Sequence, residues 1–249
     1  MASKFQPVTV QAPKCLNDFA LQPNSRFKLE SILDQTLNFP ANGVCCILLY
    51  GLYGTGKTTI ARLLPGLIET SKKDPNAPSI DPGDILDTQD PHEFYQACAQ
   101  GQNGAHLIQV IQNMTNLIAF NQSGLHYVIL DEVDNLTDLA QASFKAILNH
   151  HHVVFIMTTN NLNKIDLGIQ NRSVLVDMNI PPADLWRPIL RKVYQTIGLN
   201  PPPDAALDQV VVAGRGSART IFTDVVMDAN QNLKKGVKAS RDNVVRLRS

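Results

Sequence analysis

An α/β fold is what this sequence predicts: a parallel sheet sandwiched by helices, followed by a small all-helical region. Three observations predict it. Strand and helix patterns alternate as far as residue 178, which argues for parallel strands joined by crossover helices. The strand candidates are continuous apolar runs, as expected of strands covered on both faces. The segment GLYGTGKT, residues 51–58, stands between the first central run and a helix pattern, the context of a phosphate-binding loop.

Taken in order, residues 25–38 have a helical pattern with Phe27, Ile32 and Leu33 among the apolar positions. Residues 44–50 form a central strand, and residues 56–69 the helix after the loop. Residues 71–91 are rich in Pro, Asp and Ser and predict a long connection. Residues 94–99 suit a second strand. Residues 105–121 suit a helix with Leu107, Ile108, Ile111 and Leu117/Ile118 on one face. Strands at 127–130, 153–158 and 173–178 and a helix at 136–149 complete the α/β part. Pro181-Pro182 ends it, which sets a boundary near Ile180. Leu185, Ile189, Val193 and Ile197 then recur at four-residue steps and predict one stripe of a helix. Two more helices follow at 205–213 and 217–233. The expected division is 1–180, 181–235 and a basic tail, 236–249. Around that tail Lys234, Lys235, Lys238, Arg241, Arg246 and Arg248 face Asp242 alone. It is either a solvated end or a contact for nucleic acid or an acidic partner.

Bulk properties exclude some classes. Charged residues are 18% and apolar ones 44%, a globular composition. With 22 basic and 22 acidic side chains the formal net charge is zero, so any nucleic-acid surface must be local. No apolar run approaches the length of a membrane span, and no signal core opens the chain. An intracellular chain, cytoplasmic or inside a host cell and not secreted, is expected. Cys15, Cys45, Cys46 and Cys98 lack metal spacing and suit buried thiols. His150-His151-His152 suit a solvated turn, because three consecutive residues cannot converge on one ion from a regular element. Asp81, Asp84, Asp87 and Asp90 lack the closing Glu of a calcium loop. Trp186 suits a packing role between the two regions.

The chemistry resides in two motifs. A loop that wraps a polyanion with backbone N–H groups needs few side chains, hence Gly51, Gly54 and Gly56. Tyr53, Thr55 and Thr59 complete the segment around the phosphates. Lys57 brings a charge to the β- and γ-phosphates of ATP, and Thr58 a hydroxyl to Mg²⁺. The second motif is YVILDEVD, residues 127–134, an apolar strand ending in two carboxylates. Asp131 is placed to hold Mg²⁺, directly or through water, and Glu132 to polarise the attacking water.

With these residues in view, the sequence resembles the AAA+ ATPase superfamily. Within it, the small subunits of sliding-clamp loaders such as replication factor C are the nearest resemblance. DEVDNLTDLAQASFKAIL, residues 131–148, looks like the family's acidic box and its helix. FIMTTNN, residues 155–161, looks like the sensor 1 strand, which implies that Asn160 stands beside the attacking water. IQNRS, residues 169–173, resembles the Ser-Arg-Cys box, which implies that Arg172 is an arginine finger for a neighbour's site. GSAR, residues 216–219, resembles the sensor 2 box of a helical lid, which implies that Arg219 touches the γ-phosphate in cis. LNDFALQPN, residues 16–24, resembles the segment lining the adenine pocket.

There are departures. Asn171-Arg172-Ser173 keeps only the arginine of its box. The helix at 139–149 lacks the clamp-loader arginine pair. The chain stops after the lid, short of the collar domain, so a standard clamp-loader subunit is not expected by length. The resemblance implies an ATP- and Mg²⁺-dependent ATPase forming a homo-oligomeric ring or spiral, six subunits as a first guess, that acts on DNA in replication or recombination. Residues 105–121 and the tail are the DNA-facing candidates. The competing readings are a ring that remodels or scaffolds a protein partner, and a nucleotide-gated switch. Asn103-Gly104 stand where a substrate-gripping loop would lie but lack its aromatic residue, and Glu132 argues against a pure switch.

Overall fold

The continuous apolar runs become the strands of one sheet. A computed structural model describes residues 8–72, 81–87, 91, 93–101 and 103–246, from 235 onward as backbone alone. The strands β1 (Cys46–Tyr50), β2 (Glu93–Ala97), β3 (His126–Asp131), β4 (Val153–Thr159) and β5 (Ser173–Asp177) pair in parallel in the order β2-β3-β4-β1-β5. In register, Cys46 stands between Phe155 and Ser173, and Tyr95 beside Ile129. Every residue of β4 is buried, and all of β1 except Tyr50. β1 and β3 are neighbours in the sheet only through β4, so their carboxyl ends flank a crevice of the kind where ligands bind in α/β folds.

Helices cover both faces. On one side α1 (Pro23–Leu33) and α2 (Lys57–Lys72) pack Leu29, Ile60, Leu64 and Leu67 onto Ile47, Leu49, Ile129 and Ile156. On the other, α3 (Gly104–Thr115), α4 (Asp138–Phe144) and the short α5 (Leu167–Gln170) pack Leu107, Ile111, Phe144 and Ile169 onto Leu48, Leu130 and Phe155. After β5 come α6 (Ala183–Thr196), α7 (Asp204–Ala213) and α8 (Ala218–Arg246), which share a cluster of Trp186, Leu190, Tyr194, Leu207, Val211, Ile221 and Val225. Among the described residues no helix is long and apolar enough to cross a membrane. All four cysteines are buried, and burial pushes the Cys98 thiol up to about 12.

Several boundaries differ from the sequence pattern, each for a local reason. α1 stops at Leu33 and not Asn38, because the Asp34 carboxylate accepts from Thr36 N at 2.9 Å and Gln35 turns to a positive φ of 62°. α3 stops at Thr115, so Leu117 and Ile118 leave the buried face and are 69% and 79% exposed. His152 donates from Nε2 to Thr115 O at 3.0 Å, capping a carbonyl that the helix leaves open, and His126 donates from Nε2 to Leu117 O at 2.8 Å just beyond the helix end. α4 opens on Thr137, whose hydroxyl accepts from Ala140 N, and gives way to turns after Phe144 that still bury Ile147 and Leu148. α8 runs on past residue 233 to Arg246. Most of the Pro- and Asp-rich connection, Asp90 included, lies outside the described residues, as do the side chains of the basic tail from Lys235 on.

Candidate functional site

The loop after β1 owes its shape to glycines with distinct tasks. Gly54 has φ +76°, and a Cβ there would lie 2.6 Å from Ser217 Oγ, so the turn between α7 and α8 rests directly on the loop. Gly51 faces the sheet and not the cleft: its Cβ would meet Asn179 N and the Met178 carbonyl carbon at 2.8 Å. α2 begins at Lys57, so its unpaired N-terminal N–H groups and positive dipole end open onto the cleft. Lys57 is buried, and its Nζ donates to Gly51 O at 2.9 Å and Leu52 O at 2.6 Å. Burial lowers its pKa, opposed by Asp131, Asp134 and Glu132.

The Asp131 carboxylate ends β3 among hydroxyls. Thr58 Oγ1 lies 2.9 and 3.0 Å from its two oxygens, Thr158 Oγ1 donates to Oδ1 at 2.5 Å, and Tyr95 Oη donates to Oδ2 at 3.0 Å. A hydroxyl and a carboxylate in contact are hard oxygen donors of the kind Mg²⁺ takes, usually with waters and phosphates completing the shell. Thr58 and Asp131 therefore fit that ion. Glu132 follows in the left-handed region, φ 58° and ψ 51°, a conformation non-glycine residues adopt at a cost of order 1–3 kcal/mol. It is held by Glu132 N donating to Thr158 Oγ1 at 2.9 Å and by Asn135 Nδ2 donating to Glu132 Oε2 at 3.2 Å. Asn160 closes β4, its N–H donating to Asp134 Oδ1 at 3.3 Å.

These groups line one cleft of about 590 Å³, the size of a nucleotide-sized ligand pocket. Tyr53, Gly54, Thr55, Gly56, Lys57, Thr58, Thr59, Asp131, Glu132, Asn160 and Arg219 all face it. Arg219 also fixes its helix to the loop through Arg219 N donating to Gly54 O at 3.4 Å. Two sequence-predicted residues do not line the cleft: Gly51, for the reason above, and Arg172. Arg172 opens β5, at the opposite end of the sheet from the loop, where its Nη1 donates to Gly168 O at 2.9 Å. It has no role within its own chain's cleft.

The wall away from the loop differs from the sequence expectation. It is formed mainly by residues 9–15, with only Asp18, Phe19 and Ala20 from the 16–24 segment. Three of the four residues of the α6 stripe belong here: Ile189, Val193 and Ile197 line the cleft and Leu185 does not, while Leu190 and Tyr194, one position on, fill the core. Trp186 is buried, contacts Phe222 edge to face at 5.9 Å, and also lines the cleft. Lys192 of α6 bonds Asp18 at 2.6 Å, tying the two walls together.

Thr158 and Tyr95 are the residues that sequence reasoning missed. Thr158 carries a usable signal, since it lies one strand over from the acidic pair in FIMTTNN; Tyr95 carries none. Thr158 is 1% exposed. Thr158→Val takes a donor from Asp131 and the acceptor from Glu132 N while keeping the volume. It is expected to lower unfolding free energy by about 1–3 kcal/mol, the cost of unmet buried polar groups. Urea unfolding of the two proteins checks this, and equal midpoints would show that the hydroxyl is not holding the acidic pair.

Among solved structures, a proline-substituted variant of RuvB from Thermotoga maritima superposes with a TM-score of 0.60 at 15% identity, covering 90% of this chain and 74% of that one. The Thermotoga maritima RuvB Holliday junction branch migration motor gives 0.60 at 15%, covering 89% and 72%. At this identity the likeness is one of fold. No curated protein matches the sequence. The family model for AAA, the ATPase family associated with various cellular activities, matches residues 47–179, more than half of the 249 residues; the chain belongs to that family.

Proposed function

We propose that this protein binds ATP with Mg²⁺ in the cleft and hydrolyses it at a site completed by a second copy, in a head-to-tail ring or spiral that acts on DNA. One observation carries the shared site: Arg172 stands at the end of the sheet remote from its own cleft, and among the described residues its side chain bonds Gly168 O and Asn149 Oδ1 alone. A fixed cationic fork with so little to hold suits a phosphate on a neighbour. Repeating such a contact gives closed rings or open helices, with six copies as the starting expectation.

In this reading the loop N–H groups and the α2 N-terminus hold the phosphates. Lys57 leaves the Gly51 and Leu52 carbonyls to meet them. Glu132, aimed by its left-handed backbone, takes the proton of the attacking water, and Asn160 orients that water. Mg²⁺, when bound by Thr58 and Asp131, supplies charge neutralisation at the β- and γ-phosphates. Residues 181–235 act as a lid that brings Arg219 to the γ-phosphate and senses its loss. The apolar walls from residues 9–15 and α6 enclose the base.

Work on DNA is supported by the fold likeness to RuvB, described as a branch migration motor, and by the clamp-loader-like boxes. A protein partner is the second reading, and a specific observation favours it. From residue 94 to residue 130 the sequence has no Asp, Glu, Lys or Arg. Within that stretch Leu117, Ile118 and Phe120 are 69%, 79% and 86% exposed. So α3 and the loop after it, the DNA-facing candidate in the sequence, offer apolar surface and no cation for a phosphate backbone. ATP hydrolysis measured with and without DNA across a salt series separates the readings. A motor on DNA is expected to be stimulated several-fold at low salt, with stimulation fading steeply as salt rises. Absence of any DNA effect at low salt would shift the assignment to the protein partner.

A further inference from the structure

Asp131 has a hydrogen-bond donor that no nucleotide-binding motif provides. Tyr95 lies on β2, the edge strand, in register with Ile129, two residues short of the level of Asp131. Only a long side chain with a terminal donor spans that offset, about 7 Å along a strand. Its Oη reaches Asp131 Oδ2 at 3.0 Å. Above the ring, the Arg62 guanidinium carbon lies 3.8 Å from the centroid, a cation–π stack. Arg62 is four residues after Thr58, so the two share one face of α2. The contacts close a circuit: Thr58 to Asp131, Asp131 to Tyr95, Tyr95 to Arg62, and Arg62 back along the helix to Thr58.

We propose that Tyr95, backed by Arg62, is a positioning residue for the Mg²⁺ site, fixing the Asp131 carboxylate against Thr58 so that both oxygens are in place before the ion arrives. This rests on the assignment of Thr58 and Asp131 to Mg²⁺. The need for such a brace follows from the fold. Asp131 is the last residue of β3, and the chain turns left-handed immediately after it. Thr158 holds Oδ1, and among the described residues Thr58 and Tyr95 alone hold Oδ2, so without Tyr95 that oxygen keeps only Thr58. Partners of this kind typically alter metal affinity by about 10–100-fold when removed. The brace also makes the edge strand part of the site: displacement of β2 would carry Tyr95 away from Asp131.

The test is calorimetric binding of ATP with and without Mg²⁺, titrated in Mg²⁺. Tyr95→Phe keeps the ring under Arg62 and removes only the O–H. It is expected to raise the Mg²⁺ concentration needed for half of the affinity gain by about ten-fold, with ATP affinity in chelator unchanged. Arg62→Gln, which leaves the O–H but removes the stack, is expected to show a smaller shift in the same direction, and it serves as the readout should Tyr95→Phe fail to fold. A folded Tyr95→Phe protein with the wild-type Mg²⁺ dependence overturns the proposal. Asp131→Asn and Thr58→Ala separate the two levels: if neither changes the Mg²⁺ dependence, the metal assignment itself is wrong, whereas a change in both with none in Tyr95→Phe removes only the brace.

Discussion

Arg172→Ala is expected to slow steady-state ATP hydrolysis by about 10³-fold or more, the scale on which an arginine supplied from outside a phosphate-binding loop acts, while leaving ATP affinity within a few-fold of wild type. The expectation follows from place. The side chain does not line the cleft of its own chain and, among the described residues, bonds Gly168 O and Asn149 Oδ1 alone, partly exposed contacts whose loss costs about 0.5–1.5 kcal/mol each. A large effect on rate with a small effect on folding therefore requires a second molecule. Mixing decides it. Lys57→Ala protein has no working loop but keeps its arginine, so adding it to Arg172→Ala protein rebuilds one complete site wherever the two meet in the right order. Activity is expected to return on mixing two inactive proteins. Normal hydrolysis by Arg172→Ala alone would end the shared-site reading.

Glu132→Gln is the second large effect. Removing the carboxylate while keeping its size and its Asn135 partner should cost about 10²–10⁴-fold in turnover, the usual worth of a positioned general base, with ATP binding retained or tightened. Its backbone is held by Thr158 and by the turn that follows, so the substitution leaves the acidic pair's geometry in place. The resulting protein would hold ATP without consuming it, and gel filtration with ATP would then show the assembled state directly. Turnover within ten-fold of wild type would assign the base elsewhere, with Asp134 the nearest carboxylate in sequence after Asp131, which the proposal gives to Mg²⁺.

The loop and the acidic pair were legible in the sequence because each is contiguous: a strand, then the residues its end presents. The central strands were legible because burial on both faces leaves an unbroken apolar run. What was not legible depends on contacts between distant segments. The end of α3 is met by His152, in the turn before β4, and by His126 of β3, so the pattern that seemed to carry Leu117 and Ile118 along the buried face does not. The α6 stripe is legible at its four-residue spacing, but the helix has two apolar faces, and only the structure tells which one meets the cleft. Tyr95 was invisible because its meaning depends on a two-residue stagger between neighbouring strands. Residues 9–15 carry no periodic signal, and they enter the cleft wall through contacts such as Val8 N donating to Asn230 Oδ1, across nearly the whole chain.

The seat of Arg172 has a mechanical consequence. Its carbonyl accepts from Cys45 N and Cys46 N, and from there β5 runs beside β1 through five paired residues until β1 delivers the phosphate-binding loop. Arg172 and the loop of one chain are thus opposite tips of a single hydrogen-bonded strut, roughly 16 Å long at the usual strand rise. In an assembly of the proposed kind, each subunit would grip its neighbour's nucleotide at one tip and its own at the other. Strain from one pocket would reach the next along a hydrogen-bonded ladder stiff in tension and compression, with no flexible loop in series. A spiral of such struts would then change pitch as a whole when one link loosens.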